Sequence, residues 1–200
     1  MKTIKKVLIF LCCMLLSHDL MAQINTVSIS MDGSKVTFGV FVEGLGVVVV
    51  DSYGNIVRAS NRRVYDSHNV GFEYYSSFSR HEAGKIKKIG SVSFTYYSTF
   101  NDYEAGKIKS IGGKAITYYS GFHDYEAGKL KSVAGVKISY YSDFNKYEAG
   151  KLKSIGRHKY EYFSGFGDSD LAGRPKSGHA KISVDGIDFN ITARNRVMSR

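Results

Sequence analysis

The chain has 200 residues, 28 Lys and Arg against 18 Asp and Glu, a formal net charge of +10, 43% hydrophobic and 14% aromatic residues, and a single proline. This composition excludes a chain that is disordered throughout, and the length suits one domain with its own core. The two cysteines, Cys12 and Cys13, stand side by side near the start, so a disulfide framework or a Cys-based metal site is not expected in the rest of the chain.

Residues 1–22 have the layout of a secretory signal. Lys2, Lys5 and Lys6 form a basic opening, and Val7 to Leu16 form an apolar stretch of ten, too short to span a bilayer. Leu20-Met21-Ala22 then places a small residue before Gln23. The expectation is export to the periplasm, the outer surface or the medium. Cleavage removes both cysteines, three lysines and Asp19, and leaves 25 basic and 17 acidic residues, a net charge of +8.

Residues 23–71 read as β-structure without a repeat. Val27 to Ser30 and Lys35 to Val42 flank Asp32-Gly33, and Val47 to Val50 precede Asp51 to Val57. Both are hairpin signals. We expect these strands to begin the same sheet as the remainder and to cover its edge.

Residues 72–159 are four copies of a 22-residue unit. Tyrosine pairs recur at Tyr74-Tyr75, Tyr96-Tyr97, Tyr118-Tyr119 and Tyr140-Tyr141, and Tyr162-Phe163 marks a worn fifth copy. A fixed period of this size signals units that bury their apolar faces on one another. In one half of the unit Val92, Phe94 and Tyr96 alternate with Ser93, Thr95 and Tyr97, the period of a half-buried strand. The other half, Gly106 to Ile111, is a second short strand, and Gly112-Gly113 or Gly90-Ser91 gives the tight turn between them. Ile108 and Ile111 lie three apart and share a face only across a β-bulge.

The expected fold is all-β, an antiparallel meander of hairpin repeats, with a β-solenoid of one coil per repeat as the alternative. Two lysine columns, Lys85, Lys107, Lys129, Lys151 and Lys87, Lys109, Lys131, Lys153, favour the meander. Equivalent charges lie about 9.5 Å apart there and about 4.8 Å apart in a solenoid, so their repulsion is halved.

Residues 160–200 hold the degenerate copy and a closing hairpin. Pro175 replaces the Ile or Leu of the Gly-Lys-Ile/Leu-Lys phrase, so its segment is expected at an edge or outside the sheet. Ala180 to Ile191, with Asp185-Gly186 at its turn, gives the hairpin.

The phrases Gly-Lys-Ile/Leu-Lys-Ser-Ile-Gly and Ile-x-Tyr-Tyr-Ser-x-Phe, over residues 72–163, resemble uncharacterised short secreted proteins of Bacteroidetes-type bacteria with 22-residue "GKIKSIG…YY" β-repeats. The resemblance implies an exported β-repeat protein and no particular activity.

Candidate chemistry is sparse. His68, His81, His123, His158 and His179 have no metal-ligand spacing among them. Glu82, Glu104, Glu126 and Glu148 recur once per unit, whereas a catalytic pair is a single asymmetric constellation. Turn hydrogen bonds or ion pairs with the lysines are expected of them. No catalytic, cofactor or metal residue is expected, and the chain reads as a non-enzymatic structural or protein-interaction module of the cell envelope or surface. The alternative is a binder of anionic glycan or lipopolysaccharide through Lys85, Lys87, Lys107, Lys109, Lys129, Lys131, Lys151 and Lys153 with Tyr75, Tyr97, Tyr119 and Tyr141 exposed beside them. Nucleic acid is a poor expectation for an exported chain.

Overall fold

A computed structural model describes residues 24–60, 71–79, 81–165 and 169–192. The signal-like segment lies outside the described residues. The fold is all-β, and the repeats form an antiparallel meander. Four hairpins of two strands each and one leading strand make a nine-stranded sheet in the order β13-β12-β11-β10-β9-β8-β7-β6-β5. Its strands are β5 (Phe72–Tyr74), β6 (Ile86–Ile89), β7 (Val92–Tyr96), β8 (Ile108–Ile111), β9 (Lys114–Tyr118), β10 (Leu130–Val133), β11 (Val136–Tyr140), β12 (Leu152–Ile155) and β13 (His158–Lys159). Every neighbouring pair runs antiparallel, which rules out the stacked parallel coils of a solenoid.

The isoleucine spacing finds its explanation in the register. Tyr96 pairs with Ile108 and Thr95 with Ser110, so Lys109 is an extra residue. The same shift leaves Lys87, Lys131 and Lys153 unpaired in the other copies. The bulge turns Ile108 and Ile111 to the same buried face and pushes the second lysine column outward. Gly112-Gly113, at φ 54° and 77°, makes the tight turn that a mirror-image hairpin requires.

The N-terminal strands do not extend this sheet, contrary to the sequence expectation. β1 (Ile24–Ser30), β2 (Val36–Val42), β3 (Gly46–Asp51) and β4 (Ile56–Ala59) join β16 (Lys181–Val184) and β17 (Ile187–Thr192) in a separate six-stranded sheet. Its order is β16-β17-β1-β2-β3-β4, and β1 pairs in parallel with β17. Val-rich strands such as β3 give no sign of their partner, so this long-range pairing was invisible in local pattern. β14 (Glu161–Tyr162) and β15 (Pro175–Ser177) form a two-stranded piece of their own. Pro175 has left the main sheet, as a residue without an amide donor should.

The six-stranded sheet packs on one face of the repeat sheet. Phe38, Val40, Val48 and Phe189 join Ile89, Phe94, Ile116, Ile138 and Ile155 in one buried cluster. Two turns reach down to lock the layers. The Ser52 carbonyl accepts from the Ile108 amide, and the Met31 carbonyl from the Leu152 amide. Gly33 and Gly54, both at positive φ, sit so close to the rings of Tyr140 and Tyr96 that a Cβ would fall within 2.4 and 2.3 Å of them. Glycine is required there for space as well as for backbone. β2 starts at the Asp32-Gly33 turn beside Tyr140 and ends at Val42 beside Gly90. It therefore crosses the repeat sheet obliquely, and the opposite face of the repeats stays open to solvent.

Candidate interaction surface

Each repeat is bound to the next by three side chains. The first tyrosine of a pair ends its strand and enters the core: Tyr96, Tyr118, Tyr140 and Tyr162 are buried. The hydroxyls of Tyr96, Tyr140 and Tyr162 donate to the carbonyls of Ile86, Leu130 and Leu152 in the preceding copy. The second tyrosine leans the other way. Tyr75, Tyr97, Tyr119 and Tyr141 donate to the carbonyls of Phe94, Ile116, Ile138 and Tyr160 at 2.8–3.0 Å. Their rings meet the first tyrosine of the next copy edge-on, with centroids about 6 Å apart. An exposed tyrosine row is therefore corrected: these four rings are half-buried and hydrogen-bonded.

The first lysine column is corrected in the same way. Lys107 Nζ donates to the Gly128 carbonyl of the following copy at 2.6 Å, and Lys129 Nζ to that of Gly150 at 2.6 Å. Lys151 reaches Gly173, and Lys85 reaches Gly106. Each ammonium also lies over the next buried tyrosine ring, 4.7–5.0 Å from its centroid. This cation–π contact adds to the charge-assisted hydrogen bond. Burial lowers the pKa of all four ammoniums, and nearby carboxylates pull it partly back: Asp51 and Glu82 for Lys85, Glu104 for Lys107, Asp32 and Glu126 for Lys129, and Glu148 for Lys151. Lys85, Lys107, Lys129 and Lys151 are thus internal clasps rather than a free charge row.

The second column remains available. Lys87, Lys109, Lys131 and Lys153 are exposed, and the last three stand 5.5–5.8 Å over the rings of Tyr97, Tyr119 and Tyr141. Hydroxyl pairs Thr95–Ser110, Thr117–Ser132 and Ser139–Ser154 at 2.6–2.7 Å share this outer face. Lys137 and Lys159 are exposed as well. The open face of the repeat sheet is basic.

The long connections carry the feature that sequence reasoning missed. In each of the four copies, a pair of backbone bonds such as Tyr97 amide to Lys107 carbonyl and Gly106 amide to Tyr97 carbonyl closes the loop. Asn101 and Asn145 accept from the Tyr103 and Tyr147 amides within the loops. The glutamates contribute backbone turn bonds, the Glu104 carbonyl accepting from Lys107 for example. The loops lean on one another, since Tyr103 covers Gly121 and Tyr147 covers Gly165 so closely that neither glycine has room for a Cβ. Backbone polar groups are turned inward, and one ring per copy is turned out. Phe78, Phe100, Phe122 and Phe144 are 93%, 98%, 85% and 98% exposed.

Equivalent positions lie two strands apart, so these rings form a ridge with a step of about 9.5 Å. Exposing a phenylalanine forgoes about 1.5–3 kcal/mol of burial, and this chain does so four times in register. Acidic groups surround the ridge: Asp102, Asp124 and Asp143 are exposed in the same loops, with Glu104, Glu126 and Glu148 half-exposed. The signal was present in the sequence, because every unit places a phenylalanine inside its turn segment, where strand alternation cannot bury it.

Comparison of the chain with protein-family models, with curated proteins and with solved structures finds no match.

The surface must therefore be read from its own chemistry. Among the described residues, no group of three or more His, Cys, Asp or Glu side chains is placed to hold a metal ion. No helix among them is long and apolar enough to cross a membrane.

Proposed function

We propose that this chain is an exported, non-catalytic repeat module of the cell envelope or surface that binds a protein through its phenylalanine ridge. The signal-like segment and the resemblance to secreted 22-residue β-repeat proteins support export. The observation that carries the binding reading is the set of four near-fully exposed phenylalanines held in register by locked loops. A contiguous apolar patch rimmed by polar groups is the surface property associated with protein contacts, and aromatic side chains dominate such contacts energetically.

The test is site-specific photocrosslinking in the exporting cell. A benzophenone amino acid placed at Phe100, Phe122 or Phe144 should form discrete protein adducts, and one placed at the exposed Val57 of the six-stranded sheet should give different adducts or none. Ridge positions that yield no protein adduct at all would overturn the reading.

A second reading keeps the anionic glycan, through Lys87, Lys109, Lys131 and Lys153 alone. It is favoured by the seating of three of these ammoniums over tyrosine rings. Binding of an acidic polysaccharide that survives near-physiological salt and is lost in a Lys109→Gln, Lys131→Gln, Lys153→Gln variant would select it.

A further inference from the structure

The ridge and the basic face have a common origin in the 22-residue unit, and this bears on which partner fits. We propose that the ridge docks on the open basic face of a second copy of this chain, in a heterologous contact that propagates. The inference rests on the reading of the ridge as a protein-binding surface and names its partner.

Three observations converge. The first is pitch. Phe78, Phe100, Phe122 and Phe144 recur every 22 residues, and so do Lys87, Lys109, Lys131 and Lys153. Both rows therefore step by two strands, about 9.5 Å, and one copy presents the ladder that matches the other's at every rung.

The second is charge. The loops of the last three complete copies carry Asp102, Glu104, Asp124, Glu126, Asp143 and Glu148 against Lys146, while the ammoniums of Lys107, Lys129 and Lys151 are turned to carbonyls. The outer face presents Lys87, Lys109, Lys131, Lys137, Lys153 and Lys159. Ridge against ridge would oppose acid to acid. Ridge against face opposes acid to lysine and brings each phenylalanine near the edge of a half-buried tyrosine, a favourable aromatic approach.

The third is area. A phenylalanine buries about 150–250 Å², so four supply roughly 600–1,000 Å² on one copy, against about 800 Å² per partner in a standard interface. Because the ridge and the face are different patches of one molecule, the contact is heterologous and does not saturate at a dimer.

The experiment uses two variants of the purified protein. The ridge variant carries Phe78→Ser, Phe100→Ser, Phe122→Ser and Phe144→Ser, and the face variant carries Lys109→Glu, Lys131→Glu and Lys153→Glu. All seven side chains are exposed, and circular dichroism confirms that both variants fold. Sedimentation velocity over a wide range of concentration should show the unaltered protein growing past a dimer, with growth weakened by added salt. Each variant alone should stay monomeric. Their mixture should form a complex that stops at one to one, since one intact ridge then meets one intact face. A face variant that still self-associates, a mixture that stays monomeric, or an unaltered protein that is monomeric throughout would each overturn the proposal. Ridge crosslinks to other proteins in a chain that never self-associates would remove this inference and leave the protein-binding reading standing. Failure of both would remove the two together.

Discussion

The two sheets solve the same problem by different means. The repeat sheet is built from strands of two to five residues, and side chains carry much of its cohesion. A lysine, a core tyrosine and a half-buried tyrosine each bond the backbone of a neighbouring copy. The six-stranded sheet uses strands of four to seven residues and few such bonds. Val27, Ile29, Phe38, Val40, Val48 and Val50 are buried by alternation, and its closure depends on β1 meeting β17 across most of the chain. A repeat sheet can be extended one unit at a time with short-range contacts. The six-stranded sheet exists only when both ends of the chain are present, and it in turn supplies the face on which the repeats bury Ile116 and Ile138.

The most severe way to break this relationship is to end the chain before β16. A truncation after Lys176 removes Ile182, Ile187, Phe189 and Ile191 from the core. At about 1.5–3 kcal/mol each the loss approaches the whole stability of a typical domain. We expect no cooperative thermal transition by circular dichroism, in the repeats as well as in the N-terminal strands. Independent folding of the repeats after truncation would show that the two sheets are separable.

Alkaline pH attacks the repeat sheet selectively. Burial raises the pKa of Tyr96, Tyr118, Tyr140 and Tyr162 well above the usual value, and that of Tyr160 to about 12 from 10.0. A group whose folded pKa is raised gives stability that is complete below its unfolded pKa and lost as pH rises through the folded one. Stability should therefore fall from about pH 10 upward. Tyrosinate absorbance followed against pH should rise together with unfolding rather than before it. The clasp lysines, with lowered pKa values, act in the opposite sense just below their usual 10.5. They gain stability as pH rises through that window, and being part-exposed they only soften the onset.

Glycines at the layer interface should be more sensitive than glycines at the rim. Gly33→Ala forces a Cβ into the Tyr140 ring at positive φ, whereas Gly113→Ala meets open space at a similar φ. The rim substitution should cost about 1–2 kcal/mol of backbone strain, and Gly33→Ala at least 1 kcal/mol more, as read by urea denaturation.

The smallest effect sharpens the comparison among copies. The Tyr140 hydroxyl donates to Leu130, but the Tyr118 hydroxyl is buried with no partner among the described residues. Tyr140→Phe should cost about 1 kcal/mol. Tyr118→Phe should be neutral or stabilising, because it removes a polar group that was desolvated without compensation. Equal losses at both positions would mean that Tyr118 has a bonding partner after all.

Much of this architecture was legible in the residues. The 22-residue period, the period-two run from Val92 to Tyr96 and the paired glycines favoured an antiparallel meander over a solenoid, and the antiparallel pairing of every neighbouring strand decided it. The three-residue gap between Ile108 and Ile111 required the bulge that the register shows, and Pro175 restricted its segment to an edge or to a place outside the sheet. Those are local rules of backbone and alternation, and they operate on neighbours in sequence. The tertiary structure alone decided which tyrosines and lysines were consumed. A lysine column reads the same in one dimension whether its ammoniums meet solvent or a carbonyl of the next copy. Only the stagger of the strands makes Lys85, Lys107, Lys129 and Lys151 clasps and leaves Lys87, Lys109, Lys131 and Lys153 free. The parallel meeting of β1 with β17 was decided there too, since no short-range signal connects Ile24 to Ile187. The phenylalanine ridge belongs to both. The sequence placed a phenylalanine in every turn, and the locked loops, by satisfying their own backbone, left each ring no interior to enter.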